Sequence, residues 1–261
     1  MKIDEVFCDT FKALRHKLGH DRPKDMRPMW QVRLSADSDF CHAMVGCGYL
    51  TREQMQRAVQ RYRLGRSRDG GVIFWQIDTL GQIFDGKIMH YRPDGHRDHQ
   101  RKPYWVSTAL KRHYLKDDPQ LAAEIPSQHC LFGTHLLNIE HSTLNIEHSA
   151  VAVVEAEKTA VILSEVYPDF LWLAAGGLYE LTAVKLFPLR GRRIIPFPDT
   201  DPDGTAFSTW YRVTLEAQQL LGQTIHLSPL LEQKATPDQK RRKIDLVDFL
   251  EESGRFSDIR T

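Results

Sequence analysis

"AVAVVEAEKTAVILSEVYPDFLWLAAGG", residues 150–177, decides the fold. "AVAVVEA" is an apolar run without the alternation expected of a strand that has one face in water. "EKTAVILSEVYPD" reads as a helix, and "FLWLAAGG" is a second apolar run that ends in two glycines. Apolar strands alternating with helices predict a parallel sheet covered on both faces, with right-handed crossovers. The rhythm continues downstream. "LYELTAVKLFPL" reads as a helix, "RRIIPF" as a strand, "GTAFSTWYRVTLEAQQLLG" as a long helix and "QTIHLSPL" as a last strand. The tail from Glu232 is charged, with one amphipathic helix at "KIDLVDFLEES".

The chain upstream has a different texture. Residues 1–68 read as helical. In "LTREQMQRAVQRYRLG", Thr51 and Gln54 have the spacing of a capping box, with Leu50 and Met55 as its hydrophobic staple. Met55, Ala58, Val59 and Tyr62 share one helical face, and Gly65 suits the C-terminal cap. A shorter helix, "SDFCHAMVGC", precedes it, so the pair either resembles a helix-turn-helix or simply packs together. From Gly70 the pattern becomes strand, turn, strand: Val72–Ile77, a hairpin at Gly81, then Ile83–Tyr91. The loop "GHRDHQRKPYW" is polar and basic. Its His96 and His99 read as solvated residues rather than ligands. Residues 137–149 hold a tandem repeat, "LNIEHST" then "LNIEHS", which reads as a duplicated connector. The chain thus divides into a helical segment (1–68), a small α+β subdomain (69–149), a parallel α/β domain (150–252) and a tail (253–261).

The 261 residues suffice for a large core, and 41% hydrophobic with 26% charged residues is ordinary for a globular chain. No apolar run approaches the roughly 20 residues of a membrane span, and the N-terminus lacks the apolar stretch of a signal peptide. Cys8, Cys41, Cys47 and Cys130 form no CxxC pair. They read as reduced and mostly buried thiols in a cytoplasmic protein. Residues 1–113 carry 21 Lys and Arg against 13 Asp and Glu, or +8; residues 114–261 carry 14 against 21, or −7. A basic front half points either to a nucleic-acid partner or to drift in surface charge.

Ligands of open parallel sheets bind beyond the carboxyl ends of the strands. Three distinctive groups fall at such ends: Glu155, the pair Gly176-Gly177, and Asp199 with Asp201. If the strands are neighbours, the three carboxylates converge, and a hard cation such as Mg²⁺ or Mn²⁺ would neutralise them. Each element also has an ordinary reading. A glutamate can favour a helix start, an aspartate can build a turn, and two glycines can form a tight one. Asp203 follows Pro202 and reads as the cap of the long helix rather than as a ligand.

The order of these elements resembles the TOPRIM domain of topoisomerases, bacterial-type primases and recombination proteins. "VVEAEKTAVIL" is similar to the primase version, with Ala156 where that family usually has glycine, and "PFPDTDPDG" is similar to its DxD element. "KIDLVDFL" resembles a later acidic segment of several members. Upstream, "VIFWQIDTLGQI", "RKPYWVS" and "CLFGTHLL" follow the order of segments in the subdomain that precedes TOPRIM in replicative primases, more loosely. Residues 70–205 look most like uncharacterised TOPRIM-like proteins carried on mobile elements of gut bacteria.

The resemblance implies an α/β fold with a TOPRIM-like parallel sheet flanked by helices. It implies Glu155, Asp199 and Asp201 as catalytic residues and metal ligands, with Asp245 as a further ligand for Mg²⁺ or Mn²⁺. Lys158, Gly176, Gly177, Arg101 and Lys102 would bind phosphate or nucleic acid. The activity implied is primer synthesis on single-stranded DNA from nucleoside triphosphates in mobile-element replication, with a helicase or zinc-ribbon protein as partner. A TOPRIM nuclease and a non-catalytic nucleic-acid-binding module are the alternatives. "EKTA" lacks the glycines of a Walker A loop, so ATP hydrolysis is not expected.

Overall fold

The computed structural model describes residues 33–125, 127–138 and 150–254. Two helices open it, α1 (Asp39–Gly46) and α2 (Arg52–Tyr62). The Ser38 hydroxyl accepts from the Cys41 amide at the start of α1, and Thr51 and Gln54 close the expected capping box on α2. Met55, Ala58, Val59 and Tyr62 are the buried face of α2. The expected cap at Gly65 is corrected: Arg63, at φ 54°, takes the left-handed turn. Gly65 instead enters strand β1 (Gly65–Arg66), where a Cβ would lie 2.7 Å from Trp75 Nε1. Arg57 and Arg61 both bind the buried Glu165 carboxylate, at 2.8 and 2.7 Å. The basic end of α2 therefore docks on the rest of the chain.

β1 joins β2 (Val72–Ile77), β3 (Ile83–Met89) and β4 (Tyr104–Trp105) in an antiparallel sheet of that order. Period-two alternation gives it two faces. Trp75 and Ile77 pack with Ile125 on one face, against Val106, Leu110 and Tyr114 of α3 (Val106–Tyr114). The "LKRHYLKDDPQLAAEIP" stretch is helical in part, completed by α4 (Pro119–Glu124). The other face carries the register pairs Phe74–Lys87 and Gln76–Asp85. Phe74 meets Phe132 edge-on at 5.5 Å. The 137–149 repeat lies almost wholly outside the described residues.

The second sheet is parallel, in the order β6 (Phe170–Ala174), β5 (Ala150–Val154), β7 (Ile194–Phe197). Helix α5 (Glu157–Val166) connects β5 to β6. Between β6 and β7 the expected helix is corrected. Only Val184–Leu189 coils, as a 3-10 turn containing Pro188, whose ring removes one helical donor. Because parallel crossovers are right-handed, reversing direction at β5 assigns α5 and this turn to opposite faces. The long helix α6 (Thr205–Leu221) follows β7. The expected last strand is also corrected. His226 and Ser228 donate to the carbonyls of Ile194 and Pro196, yet no strand forms. Pro196 has no amide to donate back on that side, so the ladder cannot continue. Three short helices end the described chain, α7 (Leu230–Lys234), α8 (Pro237–Arg242) and α9 (Leu246–Glu252), where the sequence suggests one.

One hydrophobic cluster runs from Phe40 through Phe74 and the parallel strands to Leu250, across the boundaries expected at residues 68 and 149. The buried Tyr62 hydroxyl donates to the Trp172 carbonyl at 2.8 Å, which fixes α2 to β6. Cys41 and Cys130 are free and buried, and Cys47 is free and half-buried. No helix among the described residues is long and apolar enough to cross a membrane.

Candidate functional site

β5 is the centre of the parallel sheet, with β6 on one side and β7 on the other. The chain leaves β5 in one direction and returns past it in the other. Such a reversal opens a crevice between the carboxyl ends of the two diverging strands, where ligands of open α/β sheets bind. Glu155 follows β5 directly, and Asp199 comes two residues after β7. Val154 and Phe197 are register partners, so Glu155 and Asp199 flank the crevice from adjacent strands.

The electrostatics record their proximity. Burial raises the Asp199 carboxyl well above the usual carboxylate range, and the charges of Glu155, Asp245 and Asp248 push it the same way, against Lys158. Burial likewise raises Glu155. Lys87 and the Leu178 amide oppose this, while Asp245 and Glu157 add to it. Asp248 is raised by burial and by Asp245. Asp245 caps α9, accepting from the Asp248 amide at 2.9 Å, and accepts from the Thr159 hydroxyl at 2.6 Å. Lys158 Nζ lies 3.9 Å from Asp245 Oδ2 and 5.8 Å above the Tyr49 ring. It enters the crevice as a countercharge.

Asp201 is placed differently. Its Oδ1 accepts from the amides of Asp203 (2.9 Å) and Thr205 (3.0 Å), and its Oδ2 from that of Ala206 (2.6 Å). Partial burial raises the Asp201 carboxyl, but these amides outweigh it and hold the group below the usual range. Asp201 is therefore the cap of α6, which corrects the reading that gave this role to Asp203. Thus the two aspartates of "DTD" differ in placement: Asp199 lies among the crevice carboxylates and Asp201 turns back onto α6.

The glycines form the third wall. The Gly176 amide donates to the Glu155 carbonyl at 2.9 Å, and both glycines turn at positive φ, 94° and 154°. A Cβ on Gly176 would lie 3.1 Å from Glu157 Oε1. Lys87 of β3 reaches this turn from the antiparallel sheet. Its Nζ is 2.6 Å from the Gly176 carbonyl and 3.2 Å from Glu157 Oε2. Neither Lys87 nor Asp248 is singled out by the sequence. Asp248 could have been, because it stands three residues after Asp245 in the same acidic segment. Lys87 could not, because 89 residues separate it from Gly176. The glycine turn is also tied down at Glu180, which lies 2.8 Å from Lys185 and 3.6 Å from His129.

Arg101 and Lys102 are not brought to the crevice by any contact. Arg101 binds Asp69 at 2.9 Å and His90 at 2.7 Å, and Lys102 is exposed. A surface groove of about 720 Å³ is lined by residues such as Leu34, Gln56 and Arg61 and by none of the crevice carboxylates.

Among the described residues no three His, Cys, Asp or Glu side chains gather into a ready-made metal site. The donors at the crevice nonetheless suit a hard cation. Glu155 and Asp199 offer only oxygen, and burial raises both carboxyls, Asp199 further through the Glu155 charge. Magnesium commonly takes one or two carboxylates, with water and substrate phosphate completing its shell. Glu155 and Asp199 supply that number, whereas the Asp201 oxygens are engaged by amides.

A search of curated proteins finds no match. A family match spans residues 38–200. It starts at the cap of α1 and stops one residue after Asp199, so it includes both sheets, Lys87, Glu155 and the glycine turn. Covering more than half of the chain, this match shows that the protein belongs to the family described as a domain of unknown function, DUF6371.

Proposed function

We propose that the protein is a divalent-cation-dependent nucleotidyl transferase of primase type, extending a nucleic-acid 3′-hydroxyl on single-stranded DNA. One observation carries the reading. Glu155 and Asp199 follow adjacent parallel strands at the reversal of strand order, both carboxyls are raised by burial, and the Glu155 charge raises Asp199 further. Such opposition fits a pair that awaits a cation. The TOPRIM resemblance of "VVEAEKTA" and "PFPDTDPDG" supports the same assignment.

When bound, Mg²⁺ or Mn²⁺ would polarise a substrate phosphate there. Glu155 and Asp199 would hold the ion, and Asp245 would add negative charge from α9. Lys158, half-committed to Asp245 at 3.9 Å, can turn to a phosphate oxygen. Glu155, with a carboxyl that burial makes more basic, is suited to take a proton from an attacking hydroxyl. The glycine turn lets backbone approach the ligand closely, and Lys87 fixes its position.

Incubation with single-stranded DNA, Mg²⁺ or Mn²⁺ and labelled nucleoside triphosphates tests the proposal. Elongated products are expected, and Asp199→Asn abolishes them. Shortened DNA would mean a nuclease on the same carboxylates. Binding without either product would mean a non-catalytic module.

A further inference from the structure

The turn that follows the crevice glycines carries Tyr179, 76% exposed. Its neighbour Leu178 ties this residue to the site on two sides. The Leu178 amide acts on the Glu155 carboxyl, lowering it against the effect of burial. Its carbonyl accepts from Trp210 Nε1 of α6 at 3.0 Å. Next to Trp210 is Tyr211, 51% exposed, and one turn earlier is Phe207. The Phe207 and Tyr211 rings lie within 11° of parallel, with centroids 6.4 Å apart. The residue before Phe207 is Ala206, whose amide is held by Asp201. Exposed Tyr179 and Tyr211, with half-buried Phe207, thus stand on the two elements that frame the acidic crevice, with exposed Arg212 beside Tyr211.

We propose that Tyr179, Phe207 and Tyr211 form a stacking platform for the bases of a single strand whose backbone runs to the crevice. The inference rests on the proposed function and adds the surface that seats the strand. Aromatic rings accept any base by its π-face, and so suit a protein that must bind strands of varied sequence. Neither tyrosine hydroxyl makes a hydrogen bond among the described residues, so the rings themselves are the contact surface. Continuity with the crevice favours a nucleic-acid strand over a second copy of the chain. A dimer would have no need of rings placed at the rim of a carboxylate pair.

The test is anisotropy of a labelled oligo-dT strand with the full chain in EDTA, so that binding is read apart from any metal-dependent reaction. Tyr179→Ala and Tyr211→Ala should each weaken binding about tenfold, and the double variant by about a hundredfold. Tyr179→Phe and Tyr211→Phe should bind like the unaltered chain. An abasic strand of the same length should bind as weakly as oligo-dT binds the double variant. The proposal falls if the alanine variants bind within twofold of the unaltered chain, if the abasic strand binds equally well, or if no strand binds. It also falls if the alanine substitutions instead convert a sedimenting dimer to a monomer, since the patch then covers a second copy. Loss of primer synthesis with this binding intact would remove the reaction and leave the platform.

Discussion

Lys87 Nζ donates to the Gly176 carbonyl at 2.6 Å and pairs with Glu157 at 3.2 Å, so the antiparallel sheet holds the turn beside Glu155. Glu157 is 1% exposed and Lys87 13%, so removing the amine leaves a buried carboxylate without its cation. Lys87→Met should destabilise the fold by about 3 kcal/mol, read by urea unfolding. Adding Glu157→Gln should recover part of the loss. A change below about 0.5 kcal/mol in Lys87→Met, the size of an ordinary surface substitution, would show that the pair is structurally idle.

The two aspartates of "DTD" should respond in opposite directions. Asp201→Ala strips α6 of a carboxylate that serves three amides. It should lower stability by about 1–2 kcal/mol, as loss of a helix cap does. Asp199→Asn removes a charge that Glu155, Asp245 and Asp248 oppose, and should raise stability at neutral pH without added cation. Thermal melts of the two variants in EDTA decide it, and equal losses in both would contradict the division of roles.

The parallel sheet was legible because its strands are apolar throughout and its strand ends carry distinctive residues. Glu155 and Asp199 could be located because sheet geometry places strand ends together whatever lies between them. What the carboxylates do there was not legible, because Asp199 and Asp201 are alike in type and differ only in direction. Asp201 turns back onto its own helix, and nothing in "PFPDTDPDG" says which of three aspartates will do so. The missing last strand traces to Pro196, whose lost amide interrupts an otherwise regular pattern, whereas Pro188 lies within the short coil that replaces the helix before β7. Lys87 belongs to a third kind, a contact set by tertiary packing that no local pattern announces.

His135 offers a test of the interface between α2 and the segment before β5. Its Nε2 donates to the Arg61 carbonyl at 3.0 Å. Burial, with Arg63 nearby, lowers its pKa to about 4 despite that carbonyl. The unfolded chain therefore takes up this proton first. Its contribution is complete above about pH 6.5 and fades as pH falls toward 4, by ~3 kcal/mol in all. His135→Gln keeps a donor and cannot titrate, so the difference in unfolding free energy between variant and unaltered chain should grow in the variant's favour from pH 7.5 to pH 5. A constant difference would place His135 in contact with water.

The crevice pair has the reverse sign. Asp199 and Glu155 are raised, so the folded chain takes up these protons first. Their contribution is fully favourable below the unfolded carboxylate value near 4 and is lost as pH rises through the folded values. As rising pH charges the pair it opposes folding, and a bound cation would relieve that opposition. Mg²⁺ or Mn²⁺ at ten times its Kd should add about 1.4 kcal/mol, a rise of roughly 3–5 °C in Tm at pH 7.5. At pH 5.5 protons compete for the same oxygens and the rise should shrink. Asp199→Asn should begin from a higher Tm and lose most of the response, while Asp201→Ala should begin lower and keep it. A rise equal at both pH values, or one that persists in Asp199→Asn, would show that the ion binds elsewhere on the protein.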